Sequence, residues 1–202
     1  FEGKRKDLPE DDTSAAVVRT PEKCILCGRC FRVCSEIQGV NNLSQHHRGF
    51  NTVVGPANLI NMDDSVCIQC GQCINVCPTA AFLEKRHTDD VWKALADPKK
   101  HVVVQTAPSI RAAIGEGFDM PPGTPATGKM ITALRRLGFD AVFDTNFGAD
   151  MTIVEEAHEL VQRLKNNGPL PLLTSCSPGW INFMEKFFPE LIPNASSCKS
   201  PM

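Results

Sequence analysis

Eight cysteines in two short runs are the residues of this sequence with the most recognisable chemistry. The runs read CILCGRCFRVC at 24–34 and CIQCGQCINVC at 67–77, with seven of eleven positions identical and every cysteine repeated at an offset of 43. Each has the spacing C-x2-C-x2-C-x3-C, in which the first three thiolates hold one 4Fe-4S cubane and the fourth binds its neighbour. The spacing therefore predicts two 4Fe-4S clusters with crossed ligand sets.

The crossed pattern assigns four cysteines to each cluster. Structural zinc is the alternative for paired cysteines, but zinc sites generally divide four ligands between two separated pairs, and three closely spaced cysteines in each run fit that poorly. Pro78 follows the second run as in bacterial ferredoxins, whereas Ser35 follows the first. We expect an electron relay in this part of the chain. One cluster is assigned to Cys24, Cys27, Cys30 and Cys77, and the other to Cys67, Cys70, Cys73 and Cys34.

Composition bounds the class of protein. The 202 residues are 42% hydrophobic with a net charge of -2, which indicates a soluble protein of one or two domains and no basic surplus for nucleic acid. No apolar run approaches the roughly 18 residues of a membrane span, and no secretory signal precedes the ten cysteines, so a cytoplasmic location is expected. Because the sequence starts at Phe1 and stops at Met202 after a turn signal, we also expect a piece of a longer polypeptide.

Three segments are predicted along the chain: a solvated linker at 1–20, an α+β ferredoxin-like 2x(4Fe-4S) domain at 21–86, and an α/β domain with a parallel sheet at 87–202. Thr88 is expected to cap a helix that Pro98 closes. Strands separated by helices then imply right-handed crossovers and a parallel sheet. The predicted strands are 101–106, 139–145 and 170–175, and the predicted helices are 109–116, 127–137 and 150–166.

Open parallel sheets bind ligands beyond the carboxyl ends of their strands. Three segments follow the predicted strands, at 106–109, 144–148 and 174–180. We expect them to converge on one pocket, with Cys176 as its only thiol.

From the cysteine runs onward, the chain resembles the FeFe hydrogenases. The resemblance continues through TAPSIRAAIGE at 106–116, DTNFGADMT at 144–152, TSCSPGW at 174–180 and SSCKSP at 196–201. It implies an anaerobic oxidoreductase that reversibly reduces protons to H2 at an H-cluster, a 4Fe-4S cubane bridged by a cysteine to a diiron centre with CO and cyanide ligands. It also implies that the cluster of Cys34, Cys67, Cys70 and Cys73 lies nearer to that centre.

The resemblance implies roles for individual residues of the second half. Ala107, Pro108 and Ser109 would pack on the diiron unit, with Ser109 able to hydrogen-bond a cyanide, and Cys176 would deliver protons. Without the resemblance, the segment 107–109 would be explained as a strand-to-helix turn, and Cys176 as a small apolar side chain. The implied proton route runs from Cys176 through Glu156, Ser196, Glu159 and Arg163. Without the resemblance, the helical residues Glu156, Glu159 and Arg163 would be explained as a solvated charged stripe.

Two departures from the family pattern concern the H-cluster. Ser177 stands where the commoner motif has a second cysteine that ligates the cubane. Three alternatives follow: the cubane ligation is altered, Cys176 ligates the cubane instead, or the site is unoccupied. The family places further ligands in downstream MPCxxKxxE and ExMACxxGCxxGG motifs, and this sequence ends before them. Cys198 is expected to be structural.

We therefore predict the catalytic subunit of an FeFe hydrogenase, with H2 and protons as substrates. Its redox partner would be a ferredoxin or an NAD(P)H-oxidising flavoprotein subunit, in an NAD(P)-linked or electron-bifurcating complex. The alternatives are a ferredoxin-type electron-transfer protein, or a relative used in iron-sulfur assembly or hydrogen sensing. Retention of Cys176 with Glu156, Glu159 and Ser196 weighs against the last of these.

Overall fold

A computed structural model describes residues 6–202, which form two compact units. The first unit contains residues 6–86 and 178–190, and the second contains 87–177 and 191–202. The strands are β1 (Val17–Arg19), β2 (Ser44–His46), β3 (Val53–Gly55), β4 (Phe82–Glu84), β5 (Val103–Thr106) and β6 (Ala141–Asp144). The helices are α1 (Arg29–Arg32), α2 (Gln72–Asn75), α3 (Thr88–Ala96), α4 (Ile110–Ala113), α5 (Thr127–Leu137), α6 (Thr145–Lys165) and α7 (Pro178–Phe187).

The first unit is built from two antiparallel ribbons and the two cysteine runs. β1 pairs with β4, and β2 pairs with β3. Cys30 on α1 and Cys73 on α2 are buried in the core, so the cysteine loops are part of the packed interior and not appended to it. The other buried members of this core are Val17, Leu43, Val54, Met62 and Phe82.

The linker prediction for residues 1–20 is wrong over 11–19, while residues 1–5 lie outside the described residues. Asp11 and Arg19 exchange backbone hydrogen bonds of 2.8 Å, and both are buried. Asp11 Oδ2 accepts from the Met62 amide at 2.9 Å and lies 3.6 Å from Arg19 Nε. Burial alone would raise the pKa of Asp11, but hydrogen bonds from Thr13 and Met62 and the charge of Arg19 hold it below its usual value. Met62 lies 51 residues from Asp11 along the chain, so the charged N-terminal pattern did not reveal this contact.

The second unit contains the predicted parallel sheet. β5 and β6 pair in parallel, with Val103 opposite Ala141 and Thr106 opposite Asp144. α5 has the predicted bounds. α6 begins earlier than predicted because Asp144 caps it, accepting a 3.0 Å hydrogen bond from the Asn146 amide.

Three local predictions for this unit differ from the structure. Residues 170–175 do not form a strand: Leu173 makes an isolated parallel bridge to Ala195, and Pro169 and Pro171 have no amide to donate to a ladder. Thr88 is the first residue of α3 and does not cap it. The helix predicted at 109–116 is α4 followed by a 3-10 segment, Ile114–Phe118. Among residues 6–202, no helix is both long and apolar enough to cross a membrane.

Candidate functional site

The two cysteine runs share one backbone conformation. Leu26 and Gln69 both have φ of 59°, and their amides donate to the first cysteine of each run, Cys24 and Cys67, at 3.4 Å. Gly28 and Gly71 follow with φ of 79° and 73°, and a short helix begins directly after each. Positive φ strains residues that carry a Cβ, so glycine suits this turn. The sequence repeat is therefore also a structural repeat.

The cysteines group as the crossed pattern requires. One cavity is lined by Cys34, Cys67, Cys70 and Cys73. A second cavity is lined by Cys24, Cys27, Cys30 and Cys77. Each cavity takes three thiols from one run and the fourth from the other, so the donor sets fit two cubanes.

Burial controls the acidity of the cavity thiols. Burial raises the pKa of Cys30 to about 11, and it also raises the pKa values of Cys67 and Cys73. Cys77 differs: burial alone would raise its pKa, but hydrogen bonds from the backbone of Thr79, Phe82 and Ala81 hold it below the usual value. Because iron binds the thiolate, loading a cluster must release protons from the buried thiols.

The fourth cysteines of the two runs lie in different backbone. Cys34 lies in a π-helical turn, Val33–Ile37, and its Sγ accepts a 3.3 Å hydrogen bond from the Asn42 amide. Cys77 lies beyond the end of α2 and is followed by Pro78. The residue before a proline is disfavoured in helical conformation, so the second run cannot continue as the first does.

One helix of the first unit holds the second cysteine run, and sequence reasoning missed it. Asn182 Nδ2 on α7 donates to the Ile68 carbonyl at 3.3 Å. Lys186 Nζ donates to the carbonyls of Ser65 at 2.9 Å and Cys67 at 2.7 Å. The i, i+4 spacing of Asn182 and Lys186 was the one available signal, since it places both on one helix face.

In the second unit, the predicted Ala107–Pro108–Ser109 segment is an exposed turn between β5 and α4. The end of β5 is tied to the end of β6, because Thr145 Oγ1 donates to the Thr106 carbonyl at 2.8 Å. Arg111 Nη2 donates to Asp144 Oδ1 at 3.0 Å, a link that sequence reasoning missed. The structure thus brings together the first two of the three predicted strand-end segments.

The third segment is held by the C-terminal residues. Cys176 is exposed, and the neighbouring Ser175 hydroxyl donates to the Cys198 carbonyl. Gln105 Nε2 on β5 donates to the Pro201 carbonyl at 2.6 Å. Within residues 6–202, no hydrogen bond joins segment 174–177 to the turn at 107–109. Residues 196–201 are therefore the connection between the sheet and the Cys176 segment.

Three of the predicted proton-route residues form one hydrogen-bonded group. Ser196 Oγ donates to Glu159 Oε2 at 3.0 Å, and Arg163 donates to Glu159 Oε1 through Nη2 at 2.6 Å and Nε at 3.1 Å. Burial alone would raise the pKa of Glu159, but hydrogen bonds from Arg163, Ser197 and Ser196 lower it. The charged stripe predicted on α6 is therefore not simply solvated, because Glu159 and Arg163 are hydrogen-bonded and partly buried. Arg163 also donates to the carbonyls of Pro169, Pro193, Asn194 and Ala195.

Glu156, one turn earlier on α6, has a different environment. Its Oε1 is buried and has no hydrogen-bond partner within the described residues. Burial and the negative charges of Glu156, Glu155 and Glu159 raise the pKa of Cys198. An unpaired buried carboxylate oxygen is rare in folded proteins and requires an explanation.

Comparison with known proteins identifies both halves of the sequence. Residues 23–81 match the 4Fe-4S dicluster domain, which confirms the two-cluster prediction, and residues 100–202 match the family "Iron only hydrogenase large subunit, C-terminal domain". Iron hydrogenase 1 of Clostridium pasteurianum is 52% identical over 97% of this chain and 34% of its own length. The NADP-reducing hydrogenase subunit HndD of Solidesulfovibrio fructosivorans is 48% identical over 100% of this chain and 35% of its own length.

A solved structure agrees with these matches. A variant of the apo FeFe-hydrogenase from Chlamydomonas reinhardtii superposes with a TM-score of 0.53 at 50% identity, over 58% of this chain and 31% of that one. The chain spans about a third of the length of the curated relatives that it matches.

Proposed function

This chain belongs to the iron-only hydrogenase large-subunit family, and we propose that it serves as the catalytic subunit of an FeFe hydrogenase, interconverting H2 with two protons and two electrons. One observation carries the proposal: a dicluster domain at 23–81 and a hydrogenase domain at 100–202 are joined in a single chain. An electron relay is therefore attached directly to the part of the family that performs the chemistry.

Electrons would pass through the first unit, to which we assign a ferredoxin-like 2x(4Fe-4S) fold. The two four-cysteine cavities support this assignment, because each offers four thiols from both runs. Cys34, Cys67, Cys70 and Cys73 would hold the cluster nearer to the catalytic centre. Cys24, Cys27, Cys30 and Cys77 would hold the more distal one, where electrons enter or leave. Backbone amides such as those of Leu26 and Gln69 would orient the thiolates.

The H-cluster, when bound, would supply the iron at which H2 is made or split. On this chain, the Ala107–Pro108–Ser109 turn would pack against its diiron part, and its exposure leaves the Ser109 hydroxyl free to donate. Cys176 offers an exposed thiol that can give and take a proton. Ser177 is a poorer iron ligand than the cysteine of the commoner motif, so we propose that cubane ligation differs at this position.

Protons would move between Cys176 and the surface along α6. The buried, unpaired oxygen of Glu156 supports this route, because a carboxylate that exchanges a proton with a thiol or hydroxyl needs a free oxygen. The Ser196 hydroxyl donates to Glu159 and accepts from the Cys198 amide at 3.1 Å, so it can pass a proton on. Against the effect of burial, hydrogen bonds from Arg163, Ser197 and Ser196 lower the pKa of Glu159, so its ionised form, which accepts from the Ser196 hydroxyl, is favoured.

The physiological electron partner is proposed from the relatives. The similarity to a subunit named as NADP-reducing favours an NAD(P)H-oxidising flavoprotein subunit, with ferredoxin as the second candidate. Purification of the native complex followed by NADPH-dependent and ferredoxin-dependent H2 assays distinguishes these partners.

The catalytic proposal is tested on the full-length, fully matured protein. Infrared bands in the CO and cyanide region, together with H2 turnover, are expected. Cys176→Ser should abolish turnover and leave both ferredoxin-type cubanes reducible, whereas the matched control Cys198→Ser should retain turnover. Absence of infrared bands in the matured wild type would contradict the proposal, and an active Cys176→Ser variant would remove Cys176 from the route.

An electron-transfer protein is the second candidate, and Ser177 is the observation that favours it. That function requires the same two cubanes and no H2 turnover. The infrared measurement separates the two, because the relay alone contributes no CO or cyanide bands.

A further inference from the structure

One face of α7 is seated on the loop that opens the second cysteine run, and both belong to the first unit. Asn182 and Lys186 together bind the carbonyls of Ser65, Cys67 and Ile68. Gly179 lies on the same face, where a Cβ would be 3.7 Å from Ile68 O and 3.9 Å from Cys70 Cβ. The helix thus approaches the loop closely over two turns.

Lys186 brings a full positive charge to this loop. Its ammonium is 2.7 Å from the carbonyl oxygen of Cys67, a residue whose thiol lines the cavity of Cys34, Cys67, Cys70 and Cys73. Two hydrogen bonds, to the carbonyls of Ser65 and Cys67, hold the ammonium beside this cysteine. A cation that stabilises negative charge on one cluster ligand also stabilises the electron that reduction adds to the cluster.

We propose that Lys186 is a positioning residue that raises the reduction potential of the cluster held by Cys34, Cys67, Cys70 and Cys73 by fixing its ammonium against the Ser65–Cys67 backbone. The electron is then drawn towards this cluster and away from the one held by Cys24, Cys27, Cys30 and Cys77. This inference rests on the dicluster assignment and not on the proposed H2 chemistry. Failure of the hydrogenase proposal would therefore not contradict it.

The test is a redox titration of the cluster-loaded full-length protein, followed by electron paramagnetic resonance. Lys186→Gln should shift the midpoint of one cluster to a more negative potential. At a fixed ambient potential its reduced-to-oxidised ratio should fall several-fold, up to about tenfold, the latter being about 59 mV for one electron. Lys186→Arg should restore most of the wild-type potential, because the charge and donors remain.

Two controls identify the cause. Lys93→Gln removes an exposed lysine of α3 that pairs with Asp90, and it should leave both midpoints unchanged. A Cys27→Ala background, which removes the other cluster, should retain the whole shift, whereas a Cys70→Ala background should show none.

Particular outcomes overturn the proposal. They are an unshifted midpoint in Lys186→Gln, equal shifts of both clusters, or failure of Lys186→Arg to restore the potential while iron content is normal. If Lys186→Gln does not retain its iron, the wild type is titrated at rising ionic strength. Screening of the exposed ammonium should then lower the midpoint of this cluster more than that of the other, and an equal response of the two clusters contradicts the inference.

Discussion

The two cysteine runs begin alike and end differently. Over their first three cysteines the backbone repeats, with closely similar positive φ values and the same amide-to-sulfur hydrogen bond. At the fourth cysteine they diverge: the first run continues into the π-helical turn Val33–Ile37, and the second stops at Cys77 before Pro78. The first three cysteines of each run thus lie on a repeated turn, while the fourth lies on a π-helical turn in one run and before a proline in the other.

The surroundings of the runs differ as well. The second run contacts α7, where Lys186 donates to the carbonyls of Ser65 and Cys67. In the first run, the 3-10 turn Pro21–Lys23 leads directly into Cys24, whose amide donates to the Pro21 carbonyl at 3.1 Å. The two repeated runs therefore lie in unequal environments, which would give the clusters bound there different reduction potentials.

The largest expected effect comes from double substitutions that test the crossing of the ligand sets. Cys34→Ala combined with Cys70→Ala should lose about four irons per chain, because both substitutions remove ligands of the same cubane. Cys34→Ala combined with Cys27→Ala should lose about eight. Iron analysis and spin quantification of the full-length protein measure this. Reversal of the two results would show that each run binds its own cluster.

A smaller effect is expected from exchanging the residues that follow the fourth cysteines. Ser35→Pro places a proline inside the turn Val33–Ile37 and disfavours helical backbone at Cys34, so it should destabilise the protein by about 3 kcal/mol. Pro78→Ser should cost less than about 1 kcal/mol, since Cys77 is not helical. Thermal unfolding with iron retention as a second readout checks both, and equal losses would mean that the divergence of the runs has no energetic basis.

The smallest expected difference is between the glycines of the repeat. Gly28→Ala and Gly71→Ala both force a Cβ into positive φ, at about 1–2 kcal/mol each. At Gly28 the new Cβ would lie 3.0 Å from Phe31 Cζ, whereas at Gly71 the nearest atom, Ile74 Cδ1, is 4.0 Å away. The free energy of unfolding should therefore fall further for Gly28→Ala, by about 1 kcal/mol, in denaturant titrations. A larger loss for Gly71→Ala would contradict this packing argument.

Sequence reasoning was most successful where the interaction is local. The cysteine grouping follows from spacings of two and three residues, and α5 ends at Leu137 because Gly138 adopts φ of 107°. It was least successful where a partner lies far along the chain. The linker prediction did not anticipate that Asp11 accepts a hydrogen bond from the Met62 amide. The predicted third strand contains Pro171, and its one described ladder contact is the Leu173–Ala195 bridge.

The candidate proton route shows the same limit. The helical spacing placed Glu156, Glu159 and Arg163 on one face of α6, but only the fold distinguishes their roles. Arg163 binds the backbone of residues 193–195, which makes it an anchor for the segment that carries Ser196. Glu156 retains a buried oxygen without a partner among residues 6–202.

By itself, the sequence determined the two-cluster domain and predicted how eight cysteines divide between the clusters, because a cubane is bound by short turns whose geometry is set by nearby residues. The tertiary structure alone decided which other groups surround them. Lys186 reaches the Cys67 carbonyl across 119 residues, and Asn182 reaches Ile68 across 114. No local pattern encodes such contacts, since they depend on how α7 packs in the first unit, and they distinguish one cluster of a repeated pair from the other.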